Sequence, residues 1–598
     1  MKKPGFQWVV SGLALFWAVF ALGGVVAQDN PGVDTSDYES VMQGITGAIV
    51  DFWRFGNDDA SLIDVIAVSD DPLYVAPLVD GAYFLRGTDS QLERAVYAAL
   101  RALSGQDFGA DWPEWFKWAS AQDLALPPGY SQFKGGLFST LIDPAFDRFF
   151  QPGVQETARV NLQEVVWGGV RVDGIPSLVD AIQISPEEAA AEGEAFTQFC
   201  NEGDCSYPAP DEYVFGVSID GDNRAYPLRL LNWHELFNDV IGHAPLYDAP
   251  DGNIVCYFRA PVEFKATARQ GDSWVSITGE SAGCPLNGWL TAPETLVWAD
   301  SDWGTVQAAL PDAGETPLSL SAGLRGSVPG QAVALAYCTL CGSGILYDTT
   351  IPDLMVNGEH QGETVLEFGS TGMLMRSNKL MYDRNTDTVW NAITGEPAFG
   401  PLAASGIQLE ILPVVVTDWA TWLEEHPDTS VLSLRTGYDR PYINGVAYHD
   451  YFNDPNFIMF PVWQQDTSEN ENKDVVFTLY LNETPKAYPL RVLIPEQVTN
   501  DTLAEVELVI VTRETPGRGF FEPGGAAVRA YERGGHTFQP GATSHEVVDE
   551  NGVVWAVTED ALVSPDGETL GRLGGHLAFW FGWYGFYPDT LVYAGAAS

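Results

Sequence analysis

Apolar residues recur at helical spacing from about residue 35 to 200 and then switch to short alternating runs. Ser90-x-x-Glu93 has the form of a capping box, and Leu92, Val96, Ala99, Leu100 and Leu103 behind it fall on one helical face. Ser185, Pro186 and Glu188 repeat that signal at a second helix start. The Trp-rich run Asp111–Trp118 reads as an aromatic packing cluster in preference to a ligand platform. From Tyr213, the segment YVFGVSIDGDNRAYPLRLL sets two β-rich runs around Asp-Gly and Asp-Asn turn residues, a hairpin signature. Asn232, with Glu235 three positions on, then predicts the cap of a short helix. That box accounts for both residues structurally. It puts His234 in the first turn, where the helix dipole keeps an imidazole neutral.

The pattern then returns. VFGVSIDGDNRAYPLRLL, ending at Leu231, recurs as VFTLYLNETPKAYPLRVL from Val476. The spacing from Arg229 to Asn238 and Asp239 equals that from Arg491 to Asn500 and Asp501. Thr417–Leu432 matches Ala578–Tyr593, with Trp419/Trp580, Trp422/Trp583 and Pro427/Pro588 in register. The second segment has Pro495 opposite Trp233, read as the first helical position, and Glu496 opposite His234. VIVTRETPGRG stands there in place of LAYCTLCGSG and has no cysteine. One active and one structural copy of a duplicated unit would differ in this way.

These signals predict an α+β, β-rich protein: an N-terminal helical region followed by two tandem copies of a strand-hairpin-helix-strand unit. The expected divisions are a signal peptide or anchor over 1–27 and a mainly helical region over 28–205. The first repeat runs over 206–433, with a β-rich insert at about 247–331. A polar connection over 434–474 leads to a second, degenerate repeat over 475–598.

Composition narrows the function. With 45% hydrophobic and 12% aromatic residues the chain is globular. Thirty Lys and Arg against 81 Asp and Glu give a net charge of −51, which repels phosphate backbones and excludes nucleic acid as the expected partner. Lys2 and Lys3 precede an apolar run from Trp8 to Ala27, so the chain is expected to be extracytoplasmic: periplasmic, cell-surface or secreted. Any membrane attachment is expected through that run alone. The six cysteines then belong to an oxidising compartment, and proximity pairs them as Cys200–Cys205, Cys256–Cys284 and Cys338–Cys341.

Cys338-x-x-Cys341-Gly342 admits three chemistries. As a metal knuckle, the two thiolates, His234 and either Met373 or Met375 would suit copper, with zinc as the alternative. As a redox pair, the same spacing shuttles a disulfide, although Gly342 and the residues after it continue as turn and strand where thioredoxin-like motifs open a helix. As a local cross-link it has no chemistry. Polar and aromatic residues expected around a pocket are Trp233, Glu235, Asn238, Asp239, Asn378, Tyr382, Asp383 and Arg384. Neither a Gly-x-Ser-x-Gly elbow, HExxH, a phosphate loop nor a dinucleotide fingerprint occurs, so no nucleotide cofactor is expected.

AYPLRLLNWHELFNDVIG, YCTLCGSGILYD and NKLMYDRNTDTVWNAITGEPAFG, with IDPAFDRFF, VVWGGVRVDGIPSL and the HPDT and FYPDT ends, resemble the family called domain of unknown function (DUF) 3179. The insert departs from that family, whose members usually run straight from the helix into the cysteine strand. The resemblance implies an extracytoplasmic protein and brings no activity with it. Three functions follow as expectations: a metal or redox site, a non-catalytic binding or structural module with bonded cysteines, and a thiol–disulfide oxidoreductase.

Overall fold

The computed structural model describes residues 33–595 except 180, 202, 261, 280–286, 300–301, 313–323 and 516–524. The expected targeting segment and Cys284 lie outside the described residues. Among the described residues no helix is long and apolar enough to cross a membrane.

The chain is a mixed α+β protein. Its N-terminal helices include Tyr38–Phe55, Val75–Leu85, Gln91–Ser104, Trp112–Ser120 and Tyr130–Leu141. Ser90 caps the third of these by accepting from the Glu93 amide at 2.9 Å, but the Glu93 carboxylate turns to the amides of Gly87 and Asp89. At Ser185 both halves of the capping box form. Trp112, Trp115 and Phe116 are buried, and Trp112 meets Tyr83 edge-on at 4.7 Å, so the Trp-rich run is packing.

Two small sheets share one strand order. The first runs Val415–Asp418, Tyr213–Ile219, Asp222–Pro227, Ser430–Leu432, with Gln183–Ile184 at its edge. The second runs His576–Phe579, Val475–Leu481, Thr484–Pro489, Leu591–Val592. In both, a hairpin is flanked by one antiparallel and one parallel strand. Fine contacts correspond too. Trp422 donates to Thr429 at 2.8 Å and Trp583 to Thr590 at 2.9 Å. Tyr226 donates to Asp239 at 2.7 Å and Tyr488 to Asp501 at 2.8 Å.

Each hairpin feeds a short helix, Leu228–His234 or Leu490–Glu496, and this placement corrects the sequence reading. Pro227 and Pro489 lack an N–H, so the ladder ends at each and the helix begins at the next residue. Asn232 is therefore inside the helix, not at its cap. Glu235 terminates it with a left-handed φ of 55°. His234 sits in the last turn, where the dipole argument does not hold. Pro495 likewise lies within its helix, near the end, where it removes a single intrahelical bond.

After the first helix, Leu236–Ile241 pairs with Gln331–Cys338, which turns through Cys341 into Ser343–Asp348. Between them the chain leaves to build a seven-stranded sheet over residues 243–327, with its own core of Leu246, Phe258, Phe264, Val275, Ile277 and Leu290. After the second helix, strands from Val498–Leu503 to Thr569–Leu573 form an eight-stranded sheet that nearly closes on itself.

Candidate functional site

Cys338 and Cys341 end one strand and begin the turn to the next, and the structure closes them in a disulfide. Cys200 and Cys205 close another. Cys338 lies in the wall of a narrow cavity of about 70 Å³. Glu235, Lys379, Ser370, Met373, Tyr448 and Phe460 also face that cavity. Cys341 is buried behind it, and its carbonyl accepts the Phe579 amide at 2.8 Å.

Glu235 is brought here by its own backbone. Its left-handed turn presents its carbonyl to the Tyr337 amide at 2.8 Å and to the Lys379 ammonium at 2.7 Å. Its carboxylate accepts from Thr339 at 3.3 Å and stands 3.8 Å from Lys379 Nζ. Both side chains are buried, and burial dominates their protonation. It raises the Glu235 carboxyl, against the pull of Lys379, and lowers the Lys379 ammonium to about 8, against the pull of Glu235. A carboxyl that burial raises and an amine that burial lowers thus share a cavity with Cys338.

His234 is not part of this group. Its Nδ1 donates to the Pro176 carbonyl at 2.9 Å and its Nε2 accepts from the Tyr442 hydroxyl at 2.7 Å. Burial lowers it to about 4, so the ring is neutral and both nitrogens are used. The expected set of Cys338, Cys341 and His234 does not converge. Met373 faces the cavity, whereas Met375 packs in the core opposite Val165. Among the described residues, two groups of three ligand-type side chains come within 4.8 Å of one another and could hold a metal: Glu425 with His426 and Glu559, and His536 with Asp549 and Glu550. In the first, Arg513 and Arg529 engage Glu425, and Arg529 and Arg572 engage Glu559.

The other expected pocket residues disperse. Asn238 exchanges two hydrogen bonds with the Phe368 backbone, at 2.9 and 2.8 Å. Asp239 accepts from Arg224 at 2.8 Å and from Tyr226. Arg384 pairs with Asp173 and Glu367, not with its neighbour Asp383. Tyr382 donates to the same Asp173 at 2.7 Å. Asp383 accepts from Trp390 at 2.7 Å, and burial raises its carboxyl. Asn378 is buried and Trp233 half-buried; among the described residues neither the Asn378 amide atoms nor the Trp233 indole N–H has a hydrogen-bond partner. Lys379, Ser370, Tyr448 and Phe460 were not anticipated. Only Lys379 had a signal, a lone cation next to Asn378 at the head of the strand Asn378–Asp383.

A profile of the family described as protein of unknown function (DUF3179) matches residues 172–247 and 326–590, more than half of the chain. The chain belongs to the DUF3179 family. The gap in that match falls within the seven-stranded sheet, so the DUF3179 portion includes most of the Cys338 cavity lining, Glu235 and Lys379 among it, but not the insert. No curated protein and no solved structure matches the chain.

Proposed function

We propose that this DUF3179 protein is an extracytoplasmic thiol–disulfide protein whose working site is Cys338–Cys341, carried by the first of two tandem copies of one unit. The observation that carries this reading is the cavity in which Cys338 meets Glu235 and Lys379. A substrate thiolate attacks Cys338 Sγ, forms a mixed disulfide and releases the Cys341 thiolate. A second substrate thiolate then attacks the mixed disulfide and releases Cys338, leaving two electrons on the pair and a disulfide on the substrate. The Lys379 ammonium favours the Cys338 thiolate, and the Glu235 carboxyl, raised by burial, stands in the same cavity as the proton-exchanging group. The matching strand orders of the two small sheets support the tandem reading, and the second copy has Arg513 where the first has Cys338.

A second reading is favoured by Met373 in the same cavity: once reduced, two thiolates and a thioether form a soft set suited to copper, with zinc a poorer match. His234 has no place in that set. The test is turnover. With a small dithiol as substrate and oxidised glutathione as terminal oxidant, the protein accelerates dithiol oxidation, and Cys338→Ser abolishes this while leaving the protein folded. Equal rates with and without the protein leave the pair a structural cross-link.

A further inference from the structure

A second cavity, of about 390 Å³, lies in the eight-stranded sheet at the place corresponding to the Cys338 cavity. The correspondence rests on hydrogen bonds, not on volume. The Gln497 carbonyl accepts from the Thr512 amide at 2.7 Å, as the Glu235 carbonyl accepts from Tyr337 at 2.8 Å. Gln497 and Glu235 both have positive φ, 62° and 55°. Asn500 exchanges two hydrogen bonds with the Phe538 backbone, as Asn238 does with Phe368. Arg513, next after Thr512, therefore stands where Cys338 stands. The segment Pro540–Ser544 forms a wall of this cavity, as Ser370, Met373 and Leu374 do in the other.

The charge in this cavity is unbalanced. Among the described residues Arg513 is its only cation, and it already holds Glu425 at 2.6 Å. Glu514 is exposed on the rim and Glu546 is half-buried in the wall, and among the described residues neither makes an ion pair. The hydroxyl of Thr512, a wall residue only 6% exposed, has no hydrogen-bond partner among the described residues. Gln497, Thr543 and Ser544 add further acceptors, and Ile494, Val498 and Val511 add an apolar side. Anions are repelled here, and the volume falls in the range of small-molecule pockets.

We propose that this second cavity binds a small organic ammonium ion, held by Glu514 and Glu546. It is a binding site that has kept its place in the fold while the sulfur chemistry is confined to the other copy. The site does not depend on the Cys338–Cys341 chemistry.

Isothermal titration with three four-carbon probes of equal length tests it: putrescine, 1,4-butanediol and succinate. Putrescine is expected to bind saturably at one site per chain, butanediol weakly and succinate not at all. Glu546→Gln combined with Glu514→Gln is expected to weaken putrescine at least about tenfold, one charged hydrogen bond's worth. Cys338→Ser is expected to bind putrescine like the parent protein. Absence of saturable putrescine binding overturns the proposal. So does equal binding by the double Gln variant, which would place putrescine on the acidic surface at large, or butanediol binding as tightly as putrescine.

Discussion

The Cβ of Cys341 lies so close to Gly582 that a side-chain carbon on that glycine would stand 2.6 Å from it. Gly582 belongs to the helix Trp580–Tyr584, so a C-terminal element packs directly onto the back of the disulfide. Gly582→Ala is predicted to destabilise the protein by about 1–3 kcal/mol through overpacking. Gly571→Ala, which meets nothing within 4 Å, is predicted to be neutral. Urea midpoints of the two variants check this pair.

Glu235 and Lys379 are predicted to be strongly coupled. Removing one partner leaves a buried group uncompensated, so Glu235→Gln and Lys379→Met should each cost about 3–5 kcal/mol. The double variant should cost much less than the sum, since no buried charge remains unpaired. Additive losses in a double-mutant cycle would contradict the pairing.

His234 and His576 set an acid limit. Burial holds both near 4, below the ordinary imidazole value of 6.5. The unfolded chain binds more protons than the folded one between these values, so stability falls as pH drops from 6.5 toward 4. At pH 5 each histidine should account for about 2 kcal/mol of that loss. Urea unfolding at pH 7 and pH 5 measures it, and His234→Gln is predicted to remove its share of the difference and leave that of His576.

Arg224 is buried between Asp222 and Asp239, at 2.7 and 2.8 Å. Arg224→Met is predicted to cost about 3–5 kcal/mol, because it breaks two buried, hydrogen-bonded ion pairs at once. Arg224→Lys should cost less. Lys486 occupies the corresponding strand position and engages Asp501, the counterpart of Asp239, at 2.5 Å. Thermal unfolding of the two variants ranks them.

Much of the fold was legible wherever one local rule acted alone. The Ser185 box, the hairpin from Tyr213 and the aromatic packing at Trp112 all follow from nearest-neighbour chemistry. Asn232 misled because Asn-x-x-Glu also fits a helix end when the Glu takes a left-handed turn, and Pro227 had already started the helix. The cavity was half legible. Cys338, Glu235 and Met373 were named from sequence, but Lys379 arrives from a distant hairpin. His234 is claimed by Pro176 and Tyr442, which are 58 and 208 residues away. No periodicity or spacing encodes such long-range partners.

A working Cys338–Cys341 pair must open and close within the folded protein. Graded dithiothreitol reduction under native conditions, followed by alkylation and peptide mass spectrometry, reads this directly. The pair is expected to open while the fold persists, and Cys338, on the cavity wall, to be alkylated before Cys341 behind it. A disulfide that stays closed until the protein unfolds would contradict this and leave the pair as a cross-link.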